Sequence, residues 1–174
     1  MYGESIYLSV SSKDSNSYFP DNNVASFRVK LEKRLELIGC WKIALCEVSL
    51  SNLIVKAPVR RSARTPASEA MTKVEDESNS EEEVETAIIN EDDTICIHCS
   101  VCNGLIVNGR QSQILRTLPL KKNQYKVYPI QYYLPLETRY IDTIEFHIAT
   151  STGRPVSFDS KTGKVVMTLR LKKC

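Results

Sequence analysis

ESIYLSVSS, near the start of the chain, sets Ile6, Leu8 and Val10 against Ser5, Tyr7 and Ser9. The same period of two returns in SFRVKLEK, where Phe27, Val29 and Leu31 alternate with Arg28, Lys30 and Glu32. It returns in DTIEFHIAT, with Ile144, Phe146 and Ile148 against Thr143, Glu145 and His147. KVVMTLRLKK repeats it once more, with Val165, Met167 and Leu169 against Val166, Thr168 and Arg170. Successive side chains of a strand leave from opposite faces, so each run predicts a strand with one dry and one wet face. CWKIALCEVSL is apolar on both faces and predicts a central strand covered on each side. SQILRTLPL and QYKVYPIQYYL are further strand candidates, and helical periodicity is nearly absent.

Turn chemistry separates these runs. FPDNN (19–23), the NG pairs at 103 and 108, STGRP (151–155) and DSKTG (159–163) supply the Asn, Asp, Gly and Pro that reversals require. About eight strands joined in this way predict an all-β fold, a two-sheet sandwich or barrel with the jelly roll among its leading versions.

Residues 56–92 break the pattern. They begin basic (Lys56, Arg60, Arg61, Arg64), pass through Pro, Ala, Ser and Thr, end acidic, and contain no aromatic residue. Such a composition buries too little surface to offset the entropy of ordering it, so a disordered inter-strand insert is expected. Lengthening a loop from about 4 to about 37 residues is roughly three doublings, costing about 2 kcal/mol. The chain is therefore read as a single domain, 1–174, interrupted by this loop.

Charge is segregated along the chain. Residues 69–93 hold eleven acidic residues and one base, Lys73, leaving 22 bases and 10 acids elsewhere. A basic body with an acidic segment predicts contact with nucleic acid or an acidic protein surface. MYGESIYLSV has neither the basic region nor the apolar run of a secretory signal, and no stretch approaches the roughly 18 apolar residues of a membrane span. The six cysteines are accordingly expected as reduced thiols, with disulfides the alternative should the protein end up in an extracellular particle.

TICIHCSVCNG (94–104) concentrates Cys96, His98, Cys99 and Cys102, which raises the question of a zinc site. In a strand, Ile95, Ile97, Cys99 and Val101 point one way and Cys96, His98 and Ser100 the other. Tetrahedral zinc needs four donors at about 2.0–2.3 Å from one point, which donors split between two faces do not supply. The other cysteines, Cys40, Cys46 and Cys174, are scattered in sequence, and a buried thiol packs as a small hydrophobe. A strand is the preferred reading, so no metal or other cofactor is expected.

Little else carries chemistry. With two histidines, material for a nucleophile and base is sparse, beyond a pairing of Cys99 or Cys46 with His147. The glycines sit singly at turns and form no phosphate-cradling loop. No enzymatic activity and no small-molecule substrate are expected. KKNQYKVYPIQYYLPLETRY (121–140) gathers Tyr125, Tyr128, Tyr132, Tyr133, Tyr140 and Arg139 among lysines. Tyr and Arg are enriched at interface hot spots, and aromatic-basic stretches also stack on nucleic-acid bases. A subunit interface is the favoured reading.

Three blocks together resemble the minor capsid, or penton, proteins of Polinton/Maverick elements and adintoviruses. The first runs from IYLSVSS through FPDN to GCWKIALCEVSL, and the second is TICIHCSVCNGLIVNGRQSQILRTLPL. The third carries the most distinctive pattern: Pro135, Leu136, Ile141 to Glu145, Gly153, Arg154, Val156, Phe158, Gly163 to Val165, Thr168 and Leu169. The likeness covers roughly residues 4–50 and 94–172, and this chain departs from the pattern between the first and second blocks, where family members are longer. The resemblance implies a single jelly-roll β-sandwich forming homopentamers at the vertices of an icosahedral capsid. It implies a major capsid protein as partner, with location in the virion and assembly in the host nucleus or cytoplasm. The basic body suits non-specific contact with packaged DNA, and no membrane association is expected. Two alternatives stand beside it: a nucleoplasmin-like pentameric histone chaperone working through its acidic tract, and a small zinc-binding interaction module.

Overall fold

The computed structural model describes residues 4–14, 17–19, 24–54, 94–107 and 110–174. The insert expected over 56–92, residues 20–23 of the FPDNN turn and the NG pair at 108 lie outside the described residues.

Twelve strands account for the described regular structure, and no helix occurs among these residues. In chain order they are β1 (Ser5–Ser11), β2 (Ser17–Tyr18), β3 (Ser26–Glu36), β4 (Trp41–Ser51), β5 (Thr94–Cys99) and β6 (Leu105–Val107). They continue with β7 (Arg110–Ser112), β8 (Ile114–Pro119), β9 (Gln124–Val127), β10 (Leu134–Pro135), β11 (Tyr140–Thr150) and β12 (Lys164–Lys173). One sheet runs β1–β12–β4–β10, with β9 also on β4; a second runs β2–β3–β11–β5–β8; β6 and β7 form a separate ribbon. Every pairing is antiparallel, and the first strand lies beside the last, from Ser5↔Lys172 to Ser11↔Val166.

The alternating positions explain why the sheets meet. Val10, Ile43, Leu45, Val48, Leu50, Val165, Met167, Leu169 and Leu171 of the first sheet are buried. They share one hydrophobic cluster with Phe27, Val29, Ile95, Ile97, Ile144, Phe146 and Ile148 of the second. Phe27 and Phe146 are register partners on β3 and β11, with ring centroids 5.2 Å apart. A one-residue slip would turn every such side chain outward, so burial of one face fixes the register.

Strand β4 corrects its expectation in an instructive way. Its register against β12 shifts between Thr168 and Leu169, which leaves Cys46 as an extra residue. A bulge changes the phase of the alternation: Ile43 and Leu45 enter the core before it, Val48 and Leu50 after it. The apolar look of both faces comes largely from that phase change. Ala44 and Cys46 on the other side are buried as well.

QYKVYPIQYYL is not one strand. It divides into β9 and β10, which lie end to end along one edge of β4; Tyr128 N still bonds Cys46 O, and residues 129–133 leave the sheet. Pro129 lacks the N–H that a continuous ladder would need there. The DSKTG turn forms as expected. Asp159 Oδ1 accepts from Thr162 Oγ1 at 2.6 Å, Thr162 N at 2.8 Å and Lys161 N at 3.1 Å. These bonds, led by the Thr162 hydroxyl, hold the carboxylate below its usual pKa range. Gly163 closes the turn where a Cβ would lie 2.5 Å from Asp159 O.

The expectation of six reduced thiols fails at one pair. Cys40 and Cys174 form a disulfide, with Cα atoms 5.4 Å apart across 134 residues of sequence. The pairing of β4 with β12 brings them together: Lys173 is the partner of Trp41, and Cys174 N donates to Cys40 O at 2.9 Å. Cys46, Cys96, Cys99 and Cys102 are free and buried.

Candidate functional site

The cysteine segment folds as a strand and then a turn. Ile95, Ile97 and Cys99 of β5 enter the core, followed by Val101 and Cys102. Cys96 and His98 leave from the other face, as the alternation requires. A turn in which Cys102 N donates to Cys99 O at 3.2 Å places those two thiols together inside. Interaction with Cys99, reinforced by burial, pushes the Cys102 thiol far up, and burial alone pushes Cys96 up. The four candidate donors thus separate into a core pair and an outer pair. Among the described residues there is no group of three or more His, Cys, Asp or Glu suited to hold a metal ion. Cys99 also faces away from His147, and Cys46 lies on the other sheet, so neither meets that imidazole.

The outer pair gains a neighbour that the sequence did not announce. β5 and β11 are paired so that His98 lies directly opposite His147, with ring centroids 5.9 Å apart. Ser26 of β3 binds His147 Nδ1 at 2.6 Å, and Arg28 pairs with Glu145 at 2.6 Å beside them. Burial, and then the neighbouring His147, hold His98 below the ordinary histidine value of 6.5.

The six interface candidates do not form one patch. Tyr140 lies at the start of β11, under the Arg34 guanidinium at 4.5 Å. Arg139 is exposed next to it, and its carbonyl accepts from Leu37 N at 2.8 Å. Tyr133 turns toward Lys172 on the first sheet and donates to Gln131 Oε1 at 2.7 Å. Tyr125, Tyr128 and Tyr132 do come together, at the open edge between the two sheets, where β8 ends one sheet and β9 borders the other.

Arg116 organises that edge. Its partner on β5 is Ile97, a core residue, so Arg116 starts from the inner side of β8. A register shift between Ile97 and His98 lets Leu115 and Leu118 also be buried around it. The guanidinium comes to rest between two rings, 4.3 Å from the centroid of Tyr128 and 4.5 Å from that of Tyr132. Stacking of this kind suits the weakly hydrated, planar guanidinium. Burial pushes the Tyr128 phenol up against the opposing pull of the Arg116 charge. A cavity of about 700 Å³ opens over this group, bordered also by Lys121, Gln124, Tyr125 and Lys126 and, among the described residues, by no carboxylate. Tyr125 is exposed, and its interaction with the Glu47 carboxylate raises its phenol.

Sequence reading found the tyrosines and missed Arg116, which stands in SQILRTLPL as an ordinary strand residue. A cation in phase with Leu118 on an edge strand was the available signal, but the register shift that adds Leu115 to the core beside it is invisible without the partner strand. No helix of the described residues is long and apolar enough to cross a membrane. No protein-family model matches the chain, and no curated protein matches its sequence.

Proposed function

We propose that the chain is a single jelly-roll capsid protein that assembles as homopentamers at the vertices of an icosahedral shell. The observation that carries this reading is the order of strand pairing. Counting inward from the two ends, β1 pairs with β12, β3 with β11, β4 with β9 and β5 with β8. These four pairs belong alternately to the first and the second sheet. Wrapping one long antiparallel ribbon into a sandwich produces that order, and with it the two Greek keys of a jelly roll, a domain used to build viral capsids. β2, β6, β7 and β10 are short additions to the eight-stranded plan.

A fold hosts many functions, so the surface must contribute. Ile38, Ile130, Tyr125 and Tyr132 are largely exposed, which suits burial against neighbouring subunits. Five copies repeating one heterologous contact close into a ring. The work of the protein is then assembly, with a major capsid protein as its lateral partner and packaged DNA facing the basic body. Electron microscopy of the expressed protein, alone and mixed with a major capsid protein, tests the reading: five-fold rings support it, and dispersed single particles in both samples oppose it.

The acidic run at 69–93 favours one second reading, a nucleoplasmin-like histone chaperone in which that run binds basic clients. Deleting residues 69–93 separates the two. A chaperone loses histone binding, whereas a capsid protein keeps its assembly.

A further inference from the structure

The open edge between β8 and β9 has the properties of a recognition site. Three cations border its cavity, and none of them has a carboxylate partner among the described residues. Two polar atoms there also go unsatisfied among the described residues: Tyr128 Oη, which has the Arg116 donor near it and no acceptor, on a residue only 8% exposed, and Gln124 Oε1. Buried polar groups are nearly always hydrogen-bonded, so an unpaired donor and an unpaired acceptor in one cavity point to something that binds there. The backbone points the same way. Among the described residues β9 is paired only with β4, and Tyr128 N donates to Cys46 O. By the alternation of an antiparallel ladder, the N–H and C=O groups of Tyr125 and Val127 therefore face away from β4, along an edge that no other described strand covers.

A ligand for this edge must supply strand-like backbone, an acceptor for Tyr128, an N–H donor for Gln124, and negative charge. We propose that it takes an extended acidic segment of a partner chain, which adds as a strand to β9 and sets its carboxylates against Arg116, Lys121 and Lys126. Strand addition draws affinity from main-chain hydrogen bonds and specificity from alternate side chains. Nucleic acid is the lesser fit, because Arg116 already occupies faces of both Tyr128 and Tyr132 that bases would stack on. The proposal does not depend on ring assembly, so failure of one leaves the other standing.

The test is a fluorescence-anisotropy titration of the full chain with a labelled ten-residue peptide alternating Glu and Val. Parallel titrations use the same peptide with Lys in place of Glu, and a ten-nucleotide oligo-dT. The acidic peptide should bind at least tenfold more tightly than either. Charge reversal at two exposed positions, Lys121→Glu with Lys126→Glu, should weaken it at least tenfold, and Tyr128→Phe should weaken it severalfold. On the unaltered chain, hydrogen exchange at the Tyr125 and Val127 amides should slow when the peptide is bound. Equal binding of the acidic and basic peptides, preference for oligo-dT, no binding of the acidic peptide, or unchanged exchange at both amides overturns the proposal.

Discussion

His98 and His147 stand opposite each other on β5 and β11, their ring centroids 5.9 Å apart, although 49 positions separate them in sequence. Burial is the larger cause of the low pKa of His98, and the neighbouring His147 charge is the smaller. The unfolded chain therefore takes up this proton first. Stability is full above the ordinary value of 6.5 and declines as pH falls through it toward the folded value. The groups facing the pair are Ser26, Arg28, Glu145, Gln113 and Glu137. Urea midpoints at pH 7.5 and 5.5 should differ more for the natural chain than for His98→Gln. Equal differences would refute the assignment. In a nuclear magnetic resonance titration, His147→Asn should raise the pKa of His98 only part of the way to its ordinary value, since burial remains.

The Cys40–Cys174 bond closes 134 residues of chain. Loop-closure entropy predicts that it stabilises the fold by about 2–5 kcal/mol. Adding a reductant should lower the chemical denaturation midpoint accordingly, and Cys40→Ser should reproduce the effect and no longer respond to reductant. A midpoint unmoved by reduction would remove the bond from the account.

Phe27 and Phe146 join the centre of the second sheet to the shared core. Truncation of Phe146 to Ala should cost about 3–5 kcal/mol in denaturant unfolding. A loss below about 1 kcal/mol would mean that the ring lacks the dense packing around it that such a cost requires.

Gly163 leaves no room for a side chain, because a Cβ would meet Asp159 O at 2.5 Å and Phe158 Cβ at 2.7 Å. Gly163→Ala should destabilise the chain by about 1–3 kcal/mol, the usual range for forced overpacking. The loss should be readable as a lower melting temperature. An unchanged melting temperature would show that the turn relaxes freely.

The strands were legible where one face is buried and the other is wet. Leu8, Phe27, Phe146 and Leu169 announce their elements through simple alternation, and the all-β class follows from repeating that pattern. Phase changes were not legible. The extra residue at Cys46 makes one half-buried strand look apolar on both faces, and the bulge near His98 lets Leu115 and Leu118, of opposite phase, both be buried around Arg116. Both depend on register against a partner strand, which local sequence does not encode. The same limit explains why Cys40 and Cys174 looked scattered, and why the tyrosines between 125 and 140 looked like one patch. The acidic tract was legible only as composition, and it lies outside the described residues.

Sedimentation equilibrium of the purified chain, run across a range of protein and salt concentrations, tests the central claim most directly. The vertex reading predicts a species of five times the 19.7 kDa chain mass, in exchange with monomer at low concentration. A single-chain mass at every concentration and salt would contradict it.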